Sequence, residues 1–151
     1  MSEHIIKSHN KTLLLYHLVF PVKYRRKVFS DEVEKTLKVI CREIENCYEI
    51  NFVEIGADED HVHFLVQSVP ALSITRIVTI IKSISARGIF QEHPKIRKEK
   101  LWGGNLWTSG YYANTVGKHN NEKAIQEYVQ NQGKKYVKIY NGQLKLFEGL
   151  A

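Results

Sequence analysis

The stretch that most limits how this chain can fold is Asp60-His61-Val62-His63-Phe64-Leu65-Val66. In extended backbone, side chains at i and i+2 share a face. His61 and His63 therefore stand side by side, while Val62, Phe64 and Val66 face the other way. The strand needs a sheet with one face buried and the other able to hold two imidazoles. Neighbouring imidazoles on a rigid strand suit a divalent ion as paired ligands. The plainer alternative is two surface histidines on a half-buried strand.

The rest of the chain supplies elements for such a sheet. Lys11 to Phe20 reads as a first strand, because Leu13, Leu14, Leu15, Leu18, Val19 and Phe20 form a nearly continuous apolar run. Pro21 ends it. Ser30 is an N-cap, with Asp31 and Glu32 suited to the positive end of a helix. Val33, Leu37, Ile40, Ile44 and Tyr48 recur at helical spacing, so this helix runs to about Cys47. Ile50 to Ile55 is a short strand, joined through Gly56-Ala57-Asp58-Glu59 to the histidine strand as a hairpin. After Pro70 and Ser73, the stripe Ile74, Ile77, Val78, Ile81, Ile84 and Gly88 predicts a second helix, although β-branched residues are weak helix formers. Gln91 to Lys100 reads as a basic loop around Pro94. Leu106 to Val116 reads as a strand with a bulge at Gly110. Asn120 or Asn121 caps a third helix ending at Gln132, with Gly133 as its stop. The tail from Lys134 either adds a short strand or packs along the surface.

This order is the split βαβ pattern of ferredoxin-like and RRM-like α+β folds: an antiparallel sheet with two helices on one face. The C-terminal helix is surplus to that unit. A length of 151 residues suits one domain, 1–151. With 43% hydrophobic and 25% charged residues, the chain reads as an ordinary globular protein. No apolar run approaches the ~20 residues of a membrane span. The N-terminal residues lack a secretory h-region, which points to the cytoplasm. Cys41 and Cys47, six residues apart on one helix, point in different directions, which disfavours a mutual disulfide, and they read as reduced.

The net charge of +6 and pI near 9.3 are compatible with a polyanionic partner. Lys23-Tyr24-Arg25-Arg26-Lys27 is either a solvated loop or a phosphate-binding edge beside the site. Trp102, Trp107, Tyr111 and Tyr112 divide between core and platforms for unpaired bases. On the third helix, Tyr128 and Gln132 are four apart and so stack on one face, with Ile125 and Val129 as the adjacent docking ridge.

Taken together, these residues resemble the single-tyrosine HUH transposases of small bacterial and archaeal insertion sequences. The likeness rests on Val22-Lys23-Tyr24-Arg25-Arg26-Lys27-Val28-Phe29, on Asp60-His61-Val62-His63, on Trp107 with Tyr111-Tyr112 and Val116-Gly117, and on Tyr128 with Gln132. The order matters. Relaxases carry their tyrosine upstream of the histidines, and His-x-His-x-His nucleotide hydrolases need a third histidine where this chain has Leu65.

The resemblance implies that His61, His63 and Gln132 hold one Mg²⁺ or Mn²⁺ and that Tyr128 is the nucleophile, leaving a 5′-phosphotyrosine and a free 3′-hydroxyl. It implies a homodimer with active sites shared between subunits and Gly117 to Asn121 as a hinge. It further implies recognition of hairpins at the ends of single-stranded DNA, with no membrane partner and no small-molecule cofactor. For gripping DNA, Lys23, Arg25, Arg26, Lys82 and Arg87 are the candidates. The rival readings are a domesticated HUH endonuclease that cleaves hairpins without moving an element, and a non-catalytic nucleic-acid-binding module. The module lacks the Lys/Arg-Gly-Phe/Tyr signature expected on its third strand.

Overall fold

A computed structural model describes residues 5–7, 10–116 and 137–141. Its centre is a five-stranded antiparallel sheet. The strands are β3 (Leu14–Pro21), β4 (Asn51–Asp58), β5 (His61–Ser68), β6 (Tyr112–Thr115) and β7 (Val137–Asn141), in the order β6-β3-β5-β4-β7. Without β7 this is the four-stranded ferredoxin-like sheet that the element order predicts. Strands β1 (Ile5–Lys7) and β2 (Asn10–Thr12) form a separate antiparallel pair.

Helices α1 (Asp31–Cys47) and α2 (Ile74–Glu92) cover one face. Val62, Phe64 and Val66 of β5 pack there with Leu18 and Phe20 of β3, Phe52 and Ile55 of β4, and the helix residues Leu37, Ile44, Ile77 and Ile81. Phe20, Phe52 and Phe64 are fully buried, each contributing on the order of 1.5–3 kcal/mol by burial. The Ser30 hydroxyl accepts from Val33 N at 3.4 Å and the Ser73 hydroxyl from Arg76 N at 3.0 Å, capping α1 and α2. The two helices approach closely at Gly88, where an added Cβ would lie 2.6 Å from Ile40 Cδ1. Cys41 is buried and Cys47 exposed, both as free thiols.

Several expected boundaries move. The first strand begins at Leu14, because Lys11 and Thr12 pair with β1 instead. The strand expected over Ile50 to Ile55 runs from Asn51 to Asp58, leaving Glu59 and Asp60 as the turn of the hairpin. Gln91 to Lys100 is not a loop: α2 continues to Glu92 and α3 spans Pro94–Glu99. Pro94 sits in the first turn of α3, where its missing N–H costs nothing.

Of the strand expected over Leu106 to Val116, only Tyr112–Thr115 pairs along β3. Upstream, Trp107 makes an isolated bridge with Val22, and the Lys82 ammonium donates to the carbonyls of Thr108, Ser109 and Gly110 at 2.7, 3.4 and 2.9 Å. Those carbonyls turn toward α2 rather than into a ladder. The expected third helix falls outside the described residues. The tail does add a strand, β7, beside β4. No helix among the described residues is long and apolar enough to cross a membrane.

Candidate metal centre and nucleic-acid face

The alternation in β5 divides the sheet as its sequence demands. The face away from α1 and α2 carries a small cluster of Leu15, Val53, Leu65 and Val116, and beside it the histidines. The rings of His61 and His63 lie 5.0 Å apart between centroids, edge to face at 63°. His61 is partly exposed, whereas His63 is buried.

Each ring is held on its Nδ1 side. His61 Nδ1 lies 2.8 Å from Asp60 Oδ1. His63 Nδ1 lies 3.1 Å from Nε2 of His17 on β3, and those two rings meet edge to edge, with centroids 5.3 Å apart and planes 19° from parallel. Burial pushes the His63 imidazole down to about 3, helped by the neighbouring His17 and His61 and opposed by Asp58. Burial pushes His17 down to about 4. Both rings are thus neutral near pH 7, the state in which imidazole ligates metal. Asp58 and Asp60 add carboxylate oxygens to the His61 side, where one atom from each of the three residues lies within 4.8 Å of the others. This nitrogen and oxygen donor set fits a divalent ion such as Mg²⁺ or Mn²⁺.

Sequence reasoning passed over His17. The signal was present: one histidine interrupts the apolar run of a central strand, at a position where water cannot satisfy it. What it faces depends on strand register. Val19 stands opposite His63, so His17 is its diagonal neighbour on the same face.

The basic loop after β3 packs directly against the histidine hairpin. Val22 N donates to Asp60 O at 2.8 Å, and Val28 and Phe29 N–H groups donate to Glu59 O at 3.0 and 3.1 Å. Tyr24 and Arg25 adopt φ values of 58° and 54°, a left-handed conformation costing on the order of 1–3 kcal/mol per residue. It brings Arg25 Nε to 3.1 Å from Asp60 Oδ2. Burial raises the Asp60 carboxyl, but the hydrogen bonds from His61 and Arg25 and the Arg25 charge outweigh it and hold the group below its ordinary value.

Tyr24, Arg25, Arg26 and Lys27 are exposed, and Lys23 is half-buried. Lys23 and Lys82 line a cavity of about 430 Å³ with Trp107 and Thr108. Arg87 is exposed on the helical layer and lines a different cavity with Arg97, so the five basic candidates do not form one patch.

The aromatics separate cleanly. Trp107 is core: it stacks on Phe29 at 5.6 Å, and its indole N–H donates to Ser85 Oγ at 2.9 Å. Trp102, Tyr111 and Tyr112 are exposed by 76%, 41% and 50%, and only Tyr112 of these meets His17, edge-on at 6.1 Å. Tyr128 and Gln132 lie outside the described residues.

Residues 10–132 match the family model for IS200-like transposases. The chain is 40% identical over 119 residues to the ISDra2 transposase TnpA of Deinococcus radiodurans, covering 79% of this chain and 84% of that one. It is 30% identical over 125 residues to the transposase of insertion sequence IS200 from Salmonella typhimurium, covering 83% and 80%. The crystal structure of a transposase candidate from D. radiodurans R1 superposes with a TM-score of 0.69 at 35% identity, over 85% of this chain and 97% of that one. A REP-associated tyrosine transposase bound to a REP hairpin superposes with a TM-score of 0.53 over 85% and 74%; at 9% identity, this likeness is one of fold.

Proposed function

The chain belongs to the IS200-like transposase family, and from that premise we propose that it cleaves and rejoins single-stranded DNA at hairpin-bearing ends of an insertion sequence through a covalent bond to Tyr128. Membership makes it an enzyme of DNA strand cleavage and transfer. The observation that carries the finer reading is the pair of imidazoles on the face away from α1 and α2, 5.0 Å apart, with His63 held neutral by burial.

His61, His63 and Gln132 would hold one Mg²⁺ or Mn²⁺. When bound, such an ion supplies positive charge to the scissile phosphate. The Tyr128 oxygen attacks phosphorus; the bond from phosphorus to the 3′ oxygen breaks, giving a 3′-hydroxyl and a 5′-phosphotyrosine. Rejoining reverses this, a 3′-hydroxyl displacing the phenol. The phosphodiester energy is retained throughout, so no nucleotide cofactor is consumed. A free phenol has a pKa of about 10, so the site must favour its ionised form.

Chain connectivity supports bringing Tyr128 and Gln132 to this face. Both lie in sequence between β6 and β7, which run parallel at opposite edges of the sheet. α1 links the parallel strands β3 and β4 across the helical face. A connection from β6 to β7 steps across the sheet in the same sense, but between strands pointing the other way. A right-handed crossover, the usual hand between parallel strands, would pass over the histidine face.

Lys23, Arg25 and Arg26 border the hairpin that carries His61 and would meet phosphates there. Lys82, with its ammonium committed to the 108–110 carbonyls, lends charge to the neighbouring wall. Arg87 would reach only DNA that wraps toward α2. Tyr111 and Tyr112 offer faces to unpaired bases. The active unit in this reading is a homodimer that shares its sites between subunits.

The test is incubation with Mn²⁺ and a single-stranded oligonucleotide carrying the element's end hairpin. A covalent adduct mapped to Tyr128 is expected. Tyr128→Phe should retain hairpin binding and form no adduct; cutting at the wild-type rate by this variant would remove Tyr128 as nucleophile. Mixing Tyr128→Phe with His63→Ala protein tests sharing. Recovered cleavage supports sites built across the dimer, and inactivity at every ratio shows sites built within one chain.

A further inference from the structure

We infer that His17 is a positioning residue for the metal centre: it holds the His63 ring by its Nδ1, so that Nε2 is the atom presented to the ion. This rests on the assignment of His63 as a ligand. The argument starts from register. β3 and β5 pair without a shift from Leu14↔Ser68 to Pro21↔His61, which fixes His17 and His63 as diagonal neighbours on one pleat. Their nitrogens meet at 3.1 Å, and their planes are within 19° of parallel. Both side chains are buried, at 1% and 5% exposure, so the contact is held in a packed wall.

One of the two nitrogens must carry the proton. If His63 Nδ1–H donates to His17 Nε2, the lone pair of His63 lies on Nε2, the form needed for a metal bond. The opposite assignment puts the proton on His63 Nε2 and blocks it. A ligand's outer hydrogen bond commonly fixes tautomer and ring orientation in this way.

The two histidines are held by different means. Asp60 takes the Nδ1 side of His61 and is itself held by Arg25 from the strained loop. That arrangement sits at the rim and uses charge. His17 reaches His63 from a central strand in the buried wall and uses a neutral ring. The site therefore has one holder that solvent and salt can disturb and one that they cannot.

The experiment measures Mn²⁺ binding by calorimetry on the full chain, with the ring nitrogens followed by ¹⁵N NMR in metal-free protein. His17→Phe keeps a ring in the wall and removes the acceptor. It should weaken Mn²⁺ binding by roughly 10–100-fold with the thermal midpoint little changed. His17→Gln, whose amide oxygen can accept from Nδ1–H, should recover part of that loss. Wild-type spectra should show His63 protonated at Nδ1.

Protonation of His63 at Nε2 in the wild type, or wild-type Mn²⁺ affinity in His17→Phe, would overturn the inference. Should His17→Phe not fold, His17→Gln and the wild-type spectrum still decide it. Three imidazole nitrogens on bound Mn²⁺ by electron spin-echo spectroscopy would also overturn it, since His17 would then be a ligand itself. A separate failure marks the premise: if His63→Ala binds Mn²⁺ as tightly as wild type, the assignment of His63 as ligand falls, while the NMR result still reports on the His17 contact.

Discussion

The two faces of the sheet are made by alternate residues of the same strands, yet they answer to different demands. On the covered face, Val62, Phe64 and Val66 meet Phe20, Phe52 and two helices through apolar contact. On the other, among the described residues, Leu15, Val53, Leu65 and Val116 form a small apolar cluster, and next to it the wall is built of imidazoles. His63 and Phe64 are adjacent in sequence and both buried, but they are buried for different ends. One face stabilises the fold. The other spends some of that stability on holding polar rings in a dry place, where they stay neutral.

Substitutions at adjacent positions should therefore separate the faces. The largest effect on stability is expected from Phe64→Ala, which leaves a cavity under both helices and should cost about 3–5 kcal/mol in denaturant unfolding. His63→Ala, one residue away, should lose most Mn²⁺ affinity in calorimetry while changing unfolding free energy by under about 2 kcal/mol. Similar stability losses for the two would erase the distinction.

The aromatics extend it. Trp107→Ala should cost about 3–5 kcal/mol, since it empties core and removes the indole donor to Ser85 Oγ. Tyr112→Ala, at an exposed position, should change stability by about 0.5 kcal/mol or less and reduce single-stranded DNA affinity by about 1–3 kcal/mol in a gel-shift titration. Unaltered DNA binding by the Tyr112 variant would leave that tyrosine with no part in the nucleic-acid face. Ser30→Ala touches neither face. It should cost about 1 kcal/mol in thermal unfolding through loss of the α1 cap and leave metal binding alone, which makes it a control for stability without function.

Much of the covered face was legible in the residues. The period-two alternation around His61 and His63 and the cap at Ser30 are local signals, and the structure keeps both. Less legible was anything depending on contacts distant in sequence. Lys82 was a candidate for gripping DNA, and nothing near it in the chain points to its partners, the carbonyls of Thr108 to Gly110. Those same contacts took away half of the strand expected over Leu106 to Val116. Pro94 suggested a loop, although proline at the start of a helix is equally well placed.

For the candidate site, the sequence by itself determined that two imidazoles share a face, because alternation along a strand is a property of the backbone and needs no partner. Only the tertiary structure decided which nitrogens those rings present and what holds them. His17, forty-six residues away in the chain, reaches His63 solely because β3 pairs with β5 in one register. A slip of one residue would turn His17 to the other face. Likewise Arg25 meets Asp60 only through two left-handed residues in a loop tied to the β4–β5 turn. Strand register and loop path are settled by packing across the whole sheet, and so they are absent from any local pattern of residues.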